Sequence, residues 1–568
     1  MLNKTLLGLA FLIFISSLSN AQEIERVKIS KSTEDSIDSI FYNYDNSTTP
    51  GVSVGFIQNG KLIFSKEYGM ADLEHNIPID SSSVFSLASV SKQFTAFAIL
   101  LLERDGKLSL DDDIKLHLPN LNDFGEKITL RHLASHNSGI RDNTHLLGLK
   151  GYTPDNVITK KDALQIIYDQ TELNFEPGKK FNYTNSGYVL LAEVVEKVSG
   201  KSFSAFMQEN VFAPLEMESS FVMDDYHRIV KNRANSYEIE NGHYVNAPAN
   251  YSYYGSTNLY TSLTDLTKWT LNFSDHKVGD REIIEKMSAL TVLNDGTKYE
   301  YGLGQFVGNF NGLEHIYHSG GEAGYRAFLG RFPEQDAAVL LLSNNNTIDA
   351  QGKALELANL FLNTNYKNNK ITANKSSNFR KVKLSSSNLN KYSGSYINPD
   401  GYLIREIFVR NDTLIYSRQE QNGRETYLMA LNNNTFQFGD NENIQALFTK
   451  NKKGESIAIL VNGEEVELYS KYAPKEYSAK ELNEFTGNYY SKELNTSYFL
   501  EVRDEILIIS HPKMDTFRLQ PIKLDSFVGS SWQFRSIEFK RDKSNQINSF
   551  RISSGRAQNV LFEKQNIK

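Results

Sequence analysis

The chain reads as an α+β domain followed by two small all-β modules. Three observations carry that reading: strand signals at both ends of residues 30–365 with helical periodicities between them, a linker-like stretch after them, and a strand-only tail that repeats itself. The first part opens on a hairpin, Gly51 to Ile57 and Lys61 to Tyr68, whose Asn59-Gly60 pair suits the positive φ angles of a type I′ turn. Helices are expected at Ser89 to Arg104, around Thr129 to Ser135, and at Gly187 to Ser199, where Gly200 stands in the stop position. Tyr325 to Phe332 and Ala337 to Ser343 return as apolar strands about a Pro333-Glu334 turn, so the sheet closes late in the domain.

Residues 363 to 387 are rich in Asn, Lys and Ser, which places a linker at 366–384 and β modules at 385–475 and 476–568. Leu389-Asn390, Tyr392, Gly394 and Tyr396 are matched 93 residues later by Leu482-Asn483, Phe485, Gly487 and Tyr489. The same offset carries Val409-Arg410-Asn411-Asp412 onto Val502-Arg503-Asp504-Glu505 and Ser417 onto Ser510. Two similar modules, each large enough for a small barrel, follow.

The first residues set the compartment. Lys4, an apolar run from Leu6 to Ile15 and the small residues of Ser19-Asn20-Ala21 form a secretory signal peptide over 1–21, so a periplasmic or secreted protein is expected. No later stretch is apolar for long enough to span a membrane, and a net charge of -7 leaves no basic footprint for nucleic acid. The chain has no cysteine, which excludes disulfides, thiolate metal sites and a cysteine nucleophile. A hydrolase built from it uses an oxygen nucleophile or a metal held by His and carboxylates.

Ser89-Val90-Ser91-Lys92 opens the apolar helix Val90, Phe94, Phe97, Ala98, Leu101, Leu102. Positions i and i+3 share a helix face, which sets the Lys92 amine beside the Ser89 hydroxyl, as base beside nucleophile. The same spacing recurs at Ser274 to Lys277, in a polar stretch after the Trp269 helix, and at Ser510 to Lys513, at a strand end. Neither opens an apolar helix. A serine hydrolase also needs a proton shuttle and oxyanion donors. Tyr183-Thr184-Asn185, ahead of the Gly187 helix, offers a phenol and a carboxamide, and His318-Ser319-Gly320-Gly321, ahead of the Tyr325 strand, offers small residues along a strand edge.

Together these pieces resemble the penicillin-recognising serine hydrolases, in the branch of class C β-lactamases, D-aminopeptidases, DD-peptidases and related esterases. The resemblance covers nearly all of residues 40–345. It includes Phe85 to Thr95, Ile128 to Ile140, Glu176-Pro177-Gly178, Tyr183 to Tyr188 and Pro214-Leu215-Glu216-Met217 in family order. It implies a β-lactamase/transpeptidase-like domain, an antiparallel sheet with helices on both sides and an inserted helical subdomain, followed by two lipocalin-like β-barrel modules such as the D-aminopeptidase carries. By the same resemblance Ser89 is acylated, Lys92 and Tyr183 share proton transfer, and Asn185 holds the substrate amide. His318, Ser319 and Gly320 form the third motif, and Gly321 supplies the second oxyanion N–H beside that of Ser89.

His318 departs from the Lys-Thr-Gly of β-lactamases. It removes a permanent cation and leaves a group mostly neutral above about pH 6.5. The expected function is therefore an exported serine hydrolase acting on small peptides, amides or esters, including those of D-amino acids, as an aminopeptidase or amidase. The alternatives are a broad esterase or weak β-lactamase and, outside enzymes, a cell-wall-binding protein on a hydrolase scaffold. A small molecule or short peptide is the expected partner, with cell-wall peptide as a further one; oligomeric state stays open. No metal and no cofactor is expected. His132 and His136 have zinc-like spacing without the glutamate of a metalloprotease motif and read as helix-end packing. Asp111-Asp112-Asp113 reads as a helix cap, and Gly302-Leu303-Gly304 is too short for a nucleotide loop.

Overall fold

A computed structural model describes residues 29–362 and 382–565, apart from residues 400, 402, 419–423, 440, 453 and 462. The signal peptide expected at 1–21 and most of the linker lie outside the described residues. Among the described residues no helix is long and apolar enough to cross a membrane.

The sheet of the first domain has six strands: β1 (Val52–Gln58), β2 (Lys61–Tyr68), β3 (Phe306–Phe310), β4 (Leu313–Glu322), β5 (Tyr325–Phe332) and β6 (Ala337–Ser343). Their order is β3-β4-β5-β6-β1-β2, so the sheet's first and last strands in sequence pair at its interior, Val54 opposite Leu341. Asn59 (φ 51°) and Gly60 (φ 70°) make the turn that their sequence predicts. Every residue of β6 is buried, because both faces of the sheet are covered. On one face Val339 and Leu341 join Val54 and Phe56 in a core closed by helices α1 (Lys31–Phe41) and, at the domain's end, Ala350–Phe361. Leu340 and Leu342 point the other way, into a larger core.

That larger core holds α2 (Ser91–Arg104), α3 (Leu130–Ala134), α4 (Asn143–Leu149), α5 (Asn185–Ser199) and α6 (Leu263–Asp275). Helix α2 is buried from Ser91 to Leu102, and a 3₁₀ turn, Ala88–Val90, leads into it, so Ser89 sits in that turn, two residues before the α-helix proper. Helix α5 ends on Gly200 in the left-handed region, as expected. Ser274 belongs to the last turn of α6 rather than to a loop, because the helix continues to Asp275 before His276 turns left-handed. Its hydroxyl bonds Asp336 while Lys277 pairs with Glu216, both exposed. The Ser510 hydroxyl donates to the carbonyl of Phe499 across a barrel strand pair.

The tail forms two closed eight-stranded antiparallel barrels, running from Gly394 to Tyr472 and from Gly487 to Lys564. Their repeat is geometric as well as textual. Gly394 (φ 140°) and Gly487 (φ 134°) adopt the same backbone, which side chains rarely accept, and a Cβ on either would fall 2.7 or 2.9 Å from Cε of Lys471 or Lys564. The Tyr396 hydroxyl donates to the carbonyl of Tyr392, and that of Tyr489 to Phe485, at 2.9 and 2.8 Å.

The barrels differ in what they touch. The first has a core of its own, whereas the second shares the large core of the helical region. There the Tyr498 hydroxyl donates to the carbonyl of Leu149 at 2.7 Å, and the Trp532 ring covers Gly148 so closely that a Cβ on the glycine would meet it at 2.9 Å.

Candidate active site

Ser89 lies where strained backbone, helix and strand meet. Ala88, just ahead of it, has φ 44°, a left-handed conformation unfavourable for alanine that turns the chain sharply into the helix. Strand β4 passes close behind: a Cβ on Gly320 would stand 2.2 Å from the carbonyl oxygen of Leu87. The close approach of the Ser89 segment thus by itself requires a glycine at position 320. Ser319 and Gly321, alternating with buried His318 and Gly320, are exposed. Beyond Tyr317, strand β4 has lost β3 as a partner and pairs only with β5. Glu322 opposite Tyr325 flanks a two-residue turn and forms a hydrogen-bonded pair, so by alternation Gly321 directs its N–H to the open edge.

Lys92 is fully buried. Its Nζ donates to Ser89 Oγ at 3.1 Å, to Asn185 Oδ1 at 2.9 Å and to the carbonyl of Ser256 at 2.8 Å. Burial drives its pKa well below the ordinary lysine value and Arg556 adds to the fall, while Asp142 and Glu322 oppose it. A neutral amine has two N–H donors and one lone pair. With Asn185 and Ser256 taking the donors, the lone pair is left for the Ser89 hydroxyl, which then donates to it.

Asn185 is the first residue of α5, behind its N-cap Thr184. Its backbone N–H donates to Asp142 Oδ2 at 2.7 Å. Burial works against the charge of Asp142, yet hydrogen bonds from His145 and Asn185 and the charge of Arg556 hold its carboxyl far below the usual range.

The Tyr183 hydroxyl is buried and has no hydrogen-bond partner among the described residues. Burial raises its pKa, and the charge of Arg556 tempers the rise. The ring packs on His136 (centroids 4.2 Å apart), and two nitrogen groups lie over it, Lys92 Nζ at 4.8 Å and the Arg556 guanidinium at 4.7 Å from its centroid.

His318 is held by a chain of hydrogen bonds that fixes its protonation. The Thr184 N–H donates to His136 Nδ1 (3.2 Å), leaving His136 Nε2–H to donate to the Tyr301 oxygen (3.1 Å). The Tyr301 hydroxyl then donates to His318 Nε2 (3.3 Å), and His318 Nδ1–H to the carbonyl of Ser319 (2.6 Å). Both ring nitrogens are occupied within the protein. Burial lowers the His318 pKa to about 3, with Lys92 adding to the shift. An unfolded histidine takes its proton near pH 6.5, so below that pH the unfolded chain binds a proton that folded His318 refuses. Stability present above pH 6.5 is expected to be lost as pH falls from 6.5 toward 3, by up to about 1.4 kcal/mol per pH unit for this group. Denaturant titrations at pH 7.5, 5.5 and 4.5 check it, and His318→Asn should flatten the slope.

The structure thus gathers Ser89, Lys92, Tyr183, Asn185, His318 and Gly321 at one point. Sequence reasoning missed Ser256, Asp142, His136, Tyr301 and Arg556. Asp142 carried a cap signal, being the N-cap of α4. His136 was assigned to helix-end packing; that role falls to His132, whose Nδ1 accepts from the Thr129 N–H, whereas His136 lies under Tyr183. Asp113 caps a short 3₁₀ turn, as expected of its triplet.

A family model described as Beta-lactamase matches residues 37–361. Protein flp of Staphylococcus aureus (strain MW2) is 26% identical over 336 residues, covering 56% of this chain; the match spans 65% of that relative's length. Among solved structures, the octameric penicillin-binding protein homologue from Pyrococcus abyssi superposes with a TM-score of 0.55 at 24% identity, over 77% of this chain and 99% of that one. The D-amino acid amidase from Ochrobactrum anthropi SV3 gives 0.50 at 20% identity, over 58% and 98%.

Proposed function

The chain belongs to the β-lactamase family, and on that premise we propose that it is an exported serine hydrolase that works through an acyl-enzyme on Ser89. Its substrates are small peptides, amides or esters, those of D-amino acids included. The observation that carries this reading is the Lys92 amine, buried, with its pKa depressed, and 3.1 Å from the Ser89 hydroxyl.

In the proposed reaction Lys92 takes the Ser89 proton as Oγ attacks the carbonyl. The N–H groups of Ser89 and Gly321 receive the oxyanion. Tyr183, whose raised pKa keeps it a phenol, passes a proton to the leaving group, and Lys92 returns one to Tyr183. Water then attacks the acyl-enzyme with the same groups acting in reverse. His318, neutral and bonded inward, shapes the strand edge and brings no charge to substrate. A β-lactam carboxylate would therefore find no cation on strand β4 to pair with. The apolar run at residues 6–15 and the small residues at 19–21 support export to the periplasm or beyond.

A fluorophosphonate probe should label the wild type and spare Ser89→Ala. Equal labelling of both would sink the reading. A panel of D- and L-amino-acid amides, short esters and nitrocefin then ranks the substrate classes.

A further inference from the structure

We propose that the second barrel completes the cleft with a substrate-selecting cation, Arg556, which pairs with a carboxylate on the substrate; this rests on, and narrows, the hydrolase reading above. Arg556 lies at the two-residue turn between barrel strands Ile547–Ser554 and Ala557–Lys564, more than 370 residues beyond Tyr183 in sequence and yet stacked on its ring. The turn is pinned to the catalytic domain. The carbonyl of Arg556 accepts from the Asp142 N–H (3.2 Å) and from Asn174 Nδ2 (2.8 Å), and Asn174 Oδ1 accepts from the Gln558 N–H (2.8 Å).

The guanidinium itself is half-buried and, among the described residues, has no carboxylate within ion-pair distance. Asp142 is taken by His145, Thr144 and Asn185, and Glu322 by Ser86 and Thr257. An arginine held over the Tyr183 ring with no carboxylate on its fork matches a bidentate anion. Strand β4 itself offers no cation at the motif, since His318 stands there, neutral and bonded inward.

The surroundings extend the pattern outward. A cleft of about 370 Å³ runs between the segment ending at Asn182 and the barrel, reaching Gly555 beside Arg556. Its charged lining is Lys180, Arg535 and Arg551 against one acid, Glu538. Arg551 is paired with Glu172, but the buried Nε of Arg535 has no partner among the described residues. The repeat supplies an internal comparison: 93 residues before Arg556 the first barrel carries Gly463, where a Cβ would meet nothing within 4 Å among the described residues. The arginine is a departure from the module's own pattern at a turn that reaches Tyr183.

Arg556 also touches Tyr183 and lowers the Lys92 pKa, so loss of general activity alone would not identify its role. The deciding measurement is a ratio. In the full-length Ser89→Ala protein, calorimetric titration compares acetyl-D-alanyl-D-alanine with its C-terminal amide. The acid is expected to bind about 10–100-fold more tightly. Adding Arg556→Gln should bring the ratio close to one, and Arg556→Lys should retain part of it. The same peptides compete with fluorophosphonate labelling in the wild type. Equal affinity for acid and amide, failure of the acid to bind, or a ratio unmoved by Arg556→Gln overturns the proposal. Failure of labelling at Ser89 strikes instead at the hydrolase reading, since the calorimetry does not need turnover.

Discussion

Lys92→Met is expected to slow acylation of Ser89 by about 10²–10⁴-fold while leaving the fold in place. Methionine fills the same buried volume and is stable there without a proton partner. What it cannot do is take the Ser89 proton, and it leaves the carbonyl of Ser256 and Oδ1 of Asn185 without the amine they share. The rate of probe labelling, followed by mass spectrometry, reads the loss directly. In the wild type that rate should rise with pH as Lys92 sheds its proton, with an inflection well below the ordinary lysine value of 10.5. Lys92→Met should label slowly and without that inflection. A variant as fast as wild type would remove Lys92 from the mechanism.

Glu493→Ala is expected to cost about 3–5 kcal/mol, because it removes the bidentate partner of a buried arginine and leaves it only the more distant, half-exposed Glu172 at 3.4 Å. Arg141 is fully buried and its Nη1 donates to both oxygens of Glu493, at 2.8 and 2.9 Å. Its Nε donates to the carbonyl of Gln558 at 2.9 Å, so this residue of the catalytic domain is enclosed by the second barrel on several sides. Burial raises the Glu493 pKa, and Arg141 opposes the rise. Denaturant unfolding checks the cost. Replacing both partners, Arg141→Met with Glu493→Leu, should recover much of the stability, since no charge is then left buried. A single variant within about 1 kcal/mol of wild type would show that the barrel is held by its apolar contacts alone. Because Arg556 follows from the same docking, Glu493→Ala should also weaken any preference for acidic substrates.

Much of this could be read along the chain. The Ser89-to-Lys92 spacing is local, and a helix that buries Phe94, Phe97 and Leu101 cannot fail to set those two side chains on one face. The Asn59-Gly60 turn, the two strands about Pro333 and the Gly200 stop are likewise decided by neighbours within a few residues. The barrel repeat is legible because Gly394 and Gly487 need a backbone that other residues avoid, and so the same residues recur at one offset.

Other features have no local signature. The carbonyl of Ser256 could belong to any residue type; it became a ligand of Lys92 only when the segment around it folded over α2. His136 and Tyr301 look like packing residues until their hydrogen bonds reach His318 and show that it is neutral. Gly320 stood in the right motif for a reason that only the path of Leu87 reveals. Most of all, Arg556 sits in a module that the sequence shows to be a copy of its neighbour, and nothing in a strand pattern says which copy turns its hairpin toward Ser89. The sequence by itself determined the pairing of Ser89 with Lys92 and the duplicated tail, because each follows from short-range geometry, and its order of strand and helix signals determined the fold class. Tertiary structure alone decided the charge state of the cleft and the cation at its edge, because burial and electrostatic contact depend on residues hundreds of positions apart.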